Sequence, residues 1–289
     1  MLDFELKRPA SLDEALAMLD TDDPTVRPWS GGTALMLMMK SGVFEPSVLV
    51  DLTGIGDEHA GISAMPDGGV RIGGMATLTS LQHNARLKQL TPVFGQALQR
   101  LANVRVRNVA RVGGCLAHGD PHMDLPPILA SLRGVVLAKG LGGERRLPVE
   151  ELFAGYYETV LKQGELIVAV ELPPQEGWQT VYRKTTVRTH HDWPTLSVAV
   201  SLKMSADAIV EARVIVSAAT EKLTRLPGIE AMLVDGAGGE AQIARAGEAA
   251  AAAVDTIGDA QGSAAYKKVL VGVEVRRALA QAMEEGRKS

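Results

Sequence analysis

The spacing of apolar and polar positions predicts a helix, a strand, a glycine turn and a second helix in the first part of the chain. The stretch from Ser11 to Glu14 has the S-x-x-E form of a capping box, and apolar residues follow at helical spacing, which predicts a helix from about residue 12 to 20. Next, VRPWSGGTALMLMMKSG begins extended, breaks at Ser30-Gly31-Gly32 and continues with helix formers from Ala34 to Lys40. This order is typical of a strand that leads through a glycine turn into a helix.

The middle of the chain combines short apolar strands with helices. We predict a strand at PSVLVDL, a hairpin at GISAMPDGGVRIGG, helices at TPVFGQALQRLA and LPPILASL, and a strand at ELIVAVELP. Before the second of these helices, NVRVRNVARVGG alternates basic and apolar residues. This alternation leads into a second double-glycine turn, which we place at Gly113-Gly114.

The pattern changes after PPQEGW, residues 173–178, a segment typical of a linker. Beyond it, TLSVAVSLKMSADAIVEARVIVSAA predicts two alternating strands around a Ser-Ala-Asp turn, and three helices follow, the last from Ala264 to about Glu285. One apolar face of that helix is formed by Tyr266, Val269, Val273 and Ala280. Strands followed by helices, outside a repeating strand-helix pattern, predict an α+β domain of about 110 residues.

Composition narrows the class of protein. With 46% hydrophobic and 22% charged residues, the chain of 289 residues is typical of a globular protein with two domains. Its net charge of -4 argues against a nucleic-acid partner. The single cysteine, Cys115, excludes an internal disulfide framework and an all-cysteine iron-sulfur site within this chain. We find no signal-peptide pattern and no run of about 18 apolar residues, so we expect a cytoplasmic protein without a transmembrane segment.

The segment RVGGCLAHGDPHMDLPP, residues 111–127, offers possible metal ligands. His118, Asp120, His122 and Asp124 alternate in sequence, and in an extended conformation all four would point the same way. Imidazole and carboxylate groups bind zinc or iron, so this pattern allows a metal-dependent hydrolase. However, the intervening glycine and proline disfavour a regular strand.

The two glycine pairs allow a different interpretation. Gly31-Gly32 and Gly113-Gly114 lack side chains, so backbone N-H groups at these turns can approach an anion closely. A diphosphate fits such a site, and Asp124 is a possible acceptor for ribose or ribityl hydroxyls. Each pair alone is also explained as a tight turn. The P-loop and G-x-G-x-x-G signatures are missing, which disfavours a P-loop NTPase and a Rossmann dehydrogenase.

Both glycine segments resemble those of one protein family. WSGGTALMLMMKSG is similar to its AGGT-x-L loop, and RNVARVGGCLAHGDPHMDLPPILASL is similar to its loop with an RN, a Gly-Gly and an H-[AG]-DP motif. The family comprises the FAD-binding subunits of molybdenum hydroxylases, such as carbon monoxide dehydrogenase and xanthine dehydrogenase. The order and separation of the segments match, and the resemblance covers nearly the whole chain.

This resemblance implies a fold, a cofactor and partners. It implies an α+β fold with a FAD-binding domain of the vanillyl-alcohol-oxidase (PCMH) type over residues 1–176, built from subdomains at about 1–55 and 56–176. A C-terminal α+β domain would span residues 177–289. The implied partners are a small subunit with [2Fe-2S] clusters and a large subunit with the molybdenum-pterin cofactor, assembled as a dimer of heterotrimers, together with an external electron acceptor.

The resemblance also implies the residues that bind FAD. They are Ser30, Gly31, Gly32, Thr33, Ala34, Leu35, Arg111, Val112, Gly113, Gly114, Cys115, His118, Asp120, Asp124 and Lys184. No catalytic side chain and no metal ligand is implied within this chain. The chain departs from the family pattern at Ala34, where a polar residue is common, at Arg111, where threonine is usual, and at Cys115, often asparagine or serine.

The implied function is electron transfer from the partner's [2Fe-2S] clusters through FAD to the external acceptor. Two alternatives stay open: a metal-dependent hydrolase that uses His118, Asp120 and His122, and a stand-alone flavin oxidase. In the electron-transfer interpretation, His118 and His122 stabilise their loop through hydrogen bonds. His190-His191-Asp192 is expected to form a surface or interdomain loop.

Overall fold

A parallel sheet of three strands forms the N-terminal part of the computed structural model, which describes residues 3–205, 208–234 and 236–287. The strand order is β1-β3-β2, and the elements are β1 (Glu5–Lys7), α1 (Leu12–Leu19), β2 (Val26–Trp29), α2 (Leu35–Lys40) and β3 (Val48–Asp51). The predicted capping box is confirmed, because the Ser11 side chain accepts a hydrogen bond from the Glu14 N-H. Helix α1 buries its predicted apolar face.

A five-stranded antiparallel sheet with helices packed against it forms the middle of the fold. Its strand order is β4-β5-β10-β6-β7, and β4 and β5 form the predicted hairpin. The elements are β4 (Ile62–Ala64), β5 (Val70–Gly73), α3 (Leu78–His83), α4 (Ala85–Leu90), α5 (Val93–Gln99), α6 (Val104–Val109), α7 (Val112–Ala117), α8 (Leu125–Ser131), β6 (Val135–Gly140), β7 (Gly143–Pro148), β8 (Phe153–Gly155), β9 (Glu158–Thr159) and β10 (Leu166–Leu172). Apolar side chains from the sheet and from these helices share one buried core.

The prediction of a second double-glycine turn is wrong. Gly113 and Gly114 lie in the first turn of α7, and the preceding basic and apolar residues form helix α6. The side chain of Asn103 accepts a hydrogen bond from the Val106 N-H and begins α6. Arg107 reaches back to the carbonyl groups of residues 101 and 102. These local bonds favour a helix in the stretch that leads up to Gly113 and Gly114.

A four-stranded antiparallel sheet and three helices form the C-terminal part. The sheet has the order β11-β12-β13-β14, and the elements are β11 (Trp178–Thr185), β12 (Leu196–Ser205), β13 (Ala208–Ser217), β14 (Thr224–Arg225), α9 (Pro227–Leu233), α10 (Glu240–Ala253) and α11 (Ala264–Gly286). Val198 and Val200 of β12 lie in the C-terminal core, while Ala199 lies in the core of the middle sheet. Strand β12, which the sequence predicted as an alternating strand, is therefore buried on both faces. Residues 206 and 207 of the predicted turn lie outside the described residues.

Helix α11 presents its predicted apolar face to the outside. Tyr266 and Val269 are 49% and 66% exposed, whereas Lys267, Val271 and Val275 are buried. The sequence pattern does not predict this orientation, because a lysine is expected on the exposed face of a helix. Here Lys267 is buried, and its ammonium is paired with the Asp259 carboxylate. Neither this helix nor any other described helix is long and apolar enough to cross a membrane.

Candidate functional site

A cavity lies between the end of β2, the start of α2, helix α7 and strand β10. We call residues 30–35 the first glycine segment and residues 111–124 the second glycine segment. Of the predicted site residues, the following line the cavity: Ser30, Gly31, Gly32, Thr33, Ala34, Leu35, Arg111, Gly113, Gly114, Cys115 and His118. Four predicted residues are not among those lining it: Val112, Asp120, Asp124 and Lys184. The two segments are thus neighbours in space although they are far apart in sequence.

The first glycine segment requires glycine at both positions of its pair. A Cβ atom on Gly31 would lie 2.1 Å from the carbonyl oxygen of Val109, so the first segment packs directly on the backbone just before the second segment. Gly32 has φ of +64°, and its Cβ would lie 2.3 Å from the ring of Trp29. Helix α2 begins directly afterwards, so the segment presents the unpaired N-H groups of a helix start to the cavity.

The second glycine segment packs against a glycine that sequence analysis did not include. The Gly113 N-H donates to the Gly74 carbonyl at 2.8 Å, and the Gly74 N-H donates to the Val168 carbonyl at 2.8 Å. A Cβ on Gly74 would lie 2.0 Å from the carbonyl oxygen of Ile167. The pair Gly73-Gly74 in VRIGG was the available signal, but we assigned it only to the end of a hairpin.

Arg111 lines the cavity between the two segments. Its Nη1 donates to the Met75 carbonyl at 2.9 Å, whereas its Nε is buried and has no hydrogen-bond partner among the described residues. Glu165 also lines the cavity, but Arg145 binds its carboxylate at 2.8 and 2.7 Å. The cavity wall therefore carries positive charge without a free carboxylate to balance it.

Two aromatic side chains form another part of the wall. Tyr157 has φ of +58°, and its ring meets the ring of His118 edge to face at a centroid distance of 5.0 Å. Its N-H donates to the Gly119 carbonyl at 3.0 Å, which holds it in this unusual conformation. Burial lowers the pKa of His118, although the charge of Asp120 acts in the opposite direction. Sequence analysis did not identify Tyr157 as a site residue.

The far end of the second glycine segment points away from the cavity into the C-terminal part. His122 Nδ1 lies 2.9 Å from the carboxylate of Asp120, and its Nε2 lies 2.9 Å from that of Asp259. The buried Lys267 ammonium donates to the same Asp259 carboxylate at 2.6 Å and to the Ala218 carbonyl at 2.9 Å. Burial lowers the pKa of His122, but hydrogen bonds to both carboxylates outweigh it and raise the pKa overall.

His122 is hydrogen-bonded within its loop, as predicted, and this arrangement does not match the metal-site pattern. Both ring nitrogens of His122 are within hydrogen-bond distance of carboxylates, and His118 lies on the cavity wall instead. Within residues 3–205, 208–234 and 236–287, no group of three or more His, Cys, Asp or Glu side chains is arranged to hold a metal ion. The sequence alternation is lost because Gly119 has φ of +69° and turns the chain.

Asp124 and Lys184 bind each other. The Lys184 ammonium lies 3.1 Å from the Asp124 carboxylate and also donates to the Asp192 carbonyl at 3.1 Å. The Tyr182 hydroxyl donates to Asp124 at 2.5 Å. Burial raises the pKa of Asp124, and Lys184 and Tyr182 act in the opposite direction. A direct contact of Asp124 or Lys184 with a cofactor therefore stays a prediction.

Comparison with known families agrees with this site. A family model described as the FAD binding domain in molybdopterin dehydrogenase matches residues 2–175. The chain belongs to this FAD-binding subunit family. A second model, the CO dehydrogenase flavoprotein C-terminal domain, matches residues 181–282. The family resemblance stated from the sequence is confirmed.

Similar proteins of this FAD-binding subunit family extend over nearly the whole chain. The nicotine 6-hydroxylase medium subunit of Paenarthrobacter nicotinovorans is 31% identical over 95% of this chain and 95% of its own length. The carbon monoxide dehydrogenase medium chain of Afipia carboxidovorans is 30% identical over 96% of each chain. These relatives are medium chains of multi-subunit enzymes.

Solved structures of the family have the same mixed α and β fold. A chain of reconstituted CO dehydrogenase from Oligotropha carboxidovorans superposes with a TM-score of 0.93 at 30% identity, covering 98% of this chain and 99% of that chain. A chain of quinoline 2-oxidoreductase from Pseudomonas putida 86 gives a TM-score of 0.92 at 27% identity, covering 99% and 98%. The electron-transfer interpretation is therefore favoured over the hydrolase and the stand-alone oxidase.

The residues of this cavity fit FAD, the cofactor of the family. Glycine backbones that a single Cβ would force apart form one wall, and a buried arginine nitrogen without an acceptor lies beside them. Such a wall accommodates a flat, anionic dinucleotide, whose diphosphate supplies the missing acceptors. The fit rests on both segments together, because neither surrounds the cavity alone.

Proposed function

We propose that this chain binds FAD between its two glycine segments and serves as the electron-transfer subunit of a molybdenum-containing hydroxylase or dehydrogenase. The observation that carries this proposal is that both glycine segments line one cavity, with Gly31 packed on the backbone of Val109 just before the second segment. Bound FAD would accept electrons one at a time from the donors and pass them in pairs to an acceptor.

The residues of this chain bind and orient the cofactor in this proposal. The N-H groups of Gly31 to Ala34 face the diphosphate at the start of α2. Gly113 and Gly114 let the second backbone approach the cofactor closely. Tyr157 and His118, whose rings meet edge to face, form an aromatic part of the wall against which part of the cofactor packs. Asp124 and Lys184 form an ion pair behind this site, and a contact with the ribityl chain or the flavin ring is a further part of the proposal.

We further propose that this chain works only within an assembly. A small subunit with [2Fe-2S] clusters would deliver the electrons, and a large subunit with the molybdenum-pterin cofactor would oxidise the substrate. The single Cys115 is consistent with this division, since iron-sulfur clusters need several thiolates. The arrangement as a dimer of heterotrimers, an external electron acceptor and a cytoplasmic location also belong to this proposal.

The proposal includes a division of the chain. Residues 1–176 would form a FAD-binding domain of the PCMH type, with subdomains at about 1–55 and 56–176, and residues 177–289 the C-terminal domain. The cavity lies between the parallel sheet and the middle sheet, which supports a site between the two subdomains.

The visible absorption spectrum of the purified chain tests this function. We expect a flavin spectrum and one FAD per chain, which heat releases without a covalent link to the protein. The released chromophore is identified against FAD and FMN standards. A colourless protein that stays colourless after incubation with FAD would contradict the proposal. Turnover of a substrate without partner subunits would instead indicate a stand-alone flavin oxidase.

A further inference from the structure

Arg111 is a charged side chain whose hydrogen bonds are incomplete. It is the residue before α7, and one guanidinium nitrogen donates to the Met75 carbonyl at 2.9 Å. Its Nε is buried without an acceptor, and no carboxylate of the described residues lies within ion-pair distance of the guanidinium. Burial lowers the pKa of its guanidinium, and no acid opposes this effect. An arginine stays charged under these conditions, so the site contains a cation without a counter-ion.

An isolated buried donor destabilises a protein unless a partner completes its hydrogen bonds. In this cavity the described wall does not offer one, because Glu165 is the only acid among the lining residues and is bound by Arg145. The Met75 bond fixes one edge of the guanidinium. A negative ligand of the cavity would supply the acceptor and the counter-charge that the described wall does not offer to the guanidinium.

The position of Arg111 indicates which part of the ligand it meets. Gly31 of the first segment contacts the backbone at Val109, and its Cβ would be 3.0 Å from the Ala110 Cα, directly before Arg111. Gly113 and Gly114 follow on the cavity wall. Arg111 thus lies on the cavity wall directly after the point where the first segment packs on residues 109 and 110. A diphosphate is the part of FAD that carries negative charge and matches the planar donor edge of arginine.

We propose that Arg111 binds the diphosphate of FAD through a charge-assisted hydrogen bond and thereby sets both the affinity for FAD and its dependence on salt. This inference rests on the proposed FAD binding. It assigns to the chain an ionic contact at a position where its family usually has threonine. The contact is specific for ligands with phosphate groups, because the flavin ring itself is neutral when oxidised.

Titration of the apo-protein with FAD and with riboflavin, followed by flavin fluorescence, tests this role. We expect Arg111→Met to weaken FAD binding by roughly 10- to 100-fold at low salt, the range for one hydrogen bond to a charged group. Because salt screens charges, the difference in FAD affinity between the wild type and Arg111→Met should become smaller as ionic strength rises. Riboflavin has no phosphate, so both proteins should bind it equally. The FAD affinity of Arg111→Lys should lie between those of the wild type and Arg111→Met.

Arg105→Met is the matched control, since it makes the same charge change at an exposed residue of α6 outside the cavity lining. Arg105→Met should leave the affinities for FAD and for riboflavin unchanged. Equal FAD affinity of wild type and Arg111→Met would overturn the role of Arg111 while FAD binding stands. Failure of the wild type to bind FAD would contradict the proposed function itself. If Arg111→Met does not fold, Arg111→Thr and Arg111→Lys give the same comparison.

Discussion

The two glycine segments look alike in sequence but differ in what they contact. All six residues of the first segment line the cavity. The second segment has two sets of contacts: Arg111 to His118 and Met123 lie along the cavity, whereas Asp120 and His122 face the C-terminal part through Asp259 and Lys267. The first segment therefore only forms the binding site, while the second also connects that site to the rest of the chain.

This difference shows that one short segment can serve binding and assembly with separate residues. Variants in the first segment should change cofactor binding with little effect on how the two halves of the chain pack. Variants at the far end of the second segment should have the opposite effect. The predictions below test that separation.

Gly31→Ala should strongly weaken FAD binding. The new Cβ would lie 2.1 Å from the Val109 carbonyl oxygen, so the first segment must move away from the backbone that precedes the second segment. Overpacking strain of about 3 kcal/mol corresponds to about 100-fold weaker FAD binding, measured by fluorescence titration. Gly95→Ala is the matched control, because no atom lies within 4 Å of its Cβ position and FAD binding should not change.

Two substitutions of Gly114, one small and one large, test the same cavity. A Cβ there meets only the Ser30 Oγ, at 3.3 Å, so Gly114→Ala should bind FAD nearly as well as wild type. Gly114→Leu extends into the cavity and should abolish FAD retention. Normal flavin content in Gly31→Ala and Gly114→Leu together would show that the cavity is not the FAD site.

Folding stability should respond most strongly to His122. His122→Ala leaves the buried Asp120 carboxylate without its imidazole partner and removes one of the two side chains that hydrogen-bond Asp259. Breaking such a buried pair costs about 3 to 5 kcal/mol in the free energy of unfolding. Chemical denaturation measures it, and His83→Ala, at an exposed histidine, is the control. A loss no larger than that of the control would show that the two halves do not depend on this cluster.

The pH dependence of the same cluster has a definite sign. The pKa of His122 is raised above 6.5, so its stabilisation is complete below pH 6.5 and is lost as pH rises through the folded-state pKa. The pKa values of Asp120 and Asp259 are lowered from 3.8, so their stabilisation is present above that value and is lost as pH falls. The stability difference between wild type and His122→Gln should therefore be larger at pH 6 than at pH 9. A difference that grows with pH would contradict this assignment.

The sequence predicted some parts of the fold correctly and others wrongly. Helix α1 and the β4-β5 hairpin follow from local signals, a capping box and turn residues, and these are confirmed. The second double-glycine turn is wrong, because helix-capping contacts around α6 outweigh the alternation of basic and apolar residues. The Asn103 cap was visible in the sequence but was not used, whereas the contacts of Arg107 with the carbonyls of residues 101 and 102 were not visible there.

The candidate site shows the same limit. Gly31 and Gly114 were found because glycine pairs are visible in sequence. Tyr157 and Gly74 were missed, because only folding brings strand β10, helix α7 and the segment before β9 to one cavity. The buried Lys267 lies on the face of α11 opposite the one that the apolar pattern marked, since its pairing with Asp259 is a tertiary contact.

A smaller effect is expected from Tyr182→Phe. The variant removes the hydroxyl that donates to Asp124 at 2.5 Å and leaves the carboxylate with Lys184 alone. One hydrogen bond of this kind contributes about 1 to 2 kcal/mol, measured by chemical denaturation. Tyr266→Phe, at a residue 49% exposed, is the control. FAD affinity should stay unchanged if Asp124 only supports the site, and a clear loss of affinity would instead indicate a direct contact between Asp124 and the cofactor.

The smallest effect is expected at Cys115, although this residue lines the cavity beside Gly114. Burial raises the pKa of its thiol to about 12, and the charge of Asp124 adds to this. The thiolate is the reactive form of cysteine, so the folded protein should not react with iodoacetamide at pH 8, as mass spectrometry would show. Unfolding in urea should make the same thiol react fully. Because Cys115 is only 9% exposed, Cys115→Ser should retain FAD with an affinity within a few-fold of wild type. Rapid alkylation of the folded, FAD-loaded protein would mean that the second glycine segment opens around α7, and the distinction between its cavity end and its assembly end would then need revision.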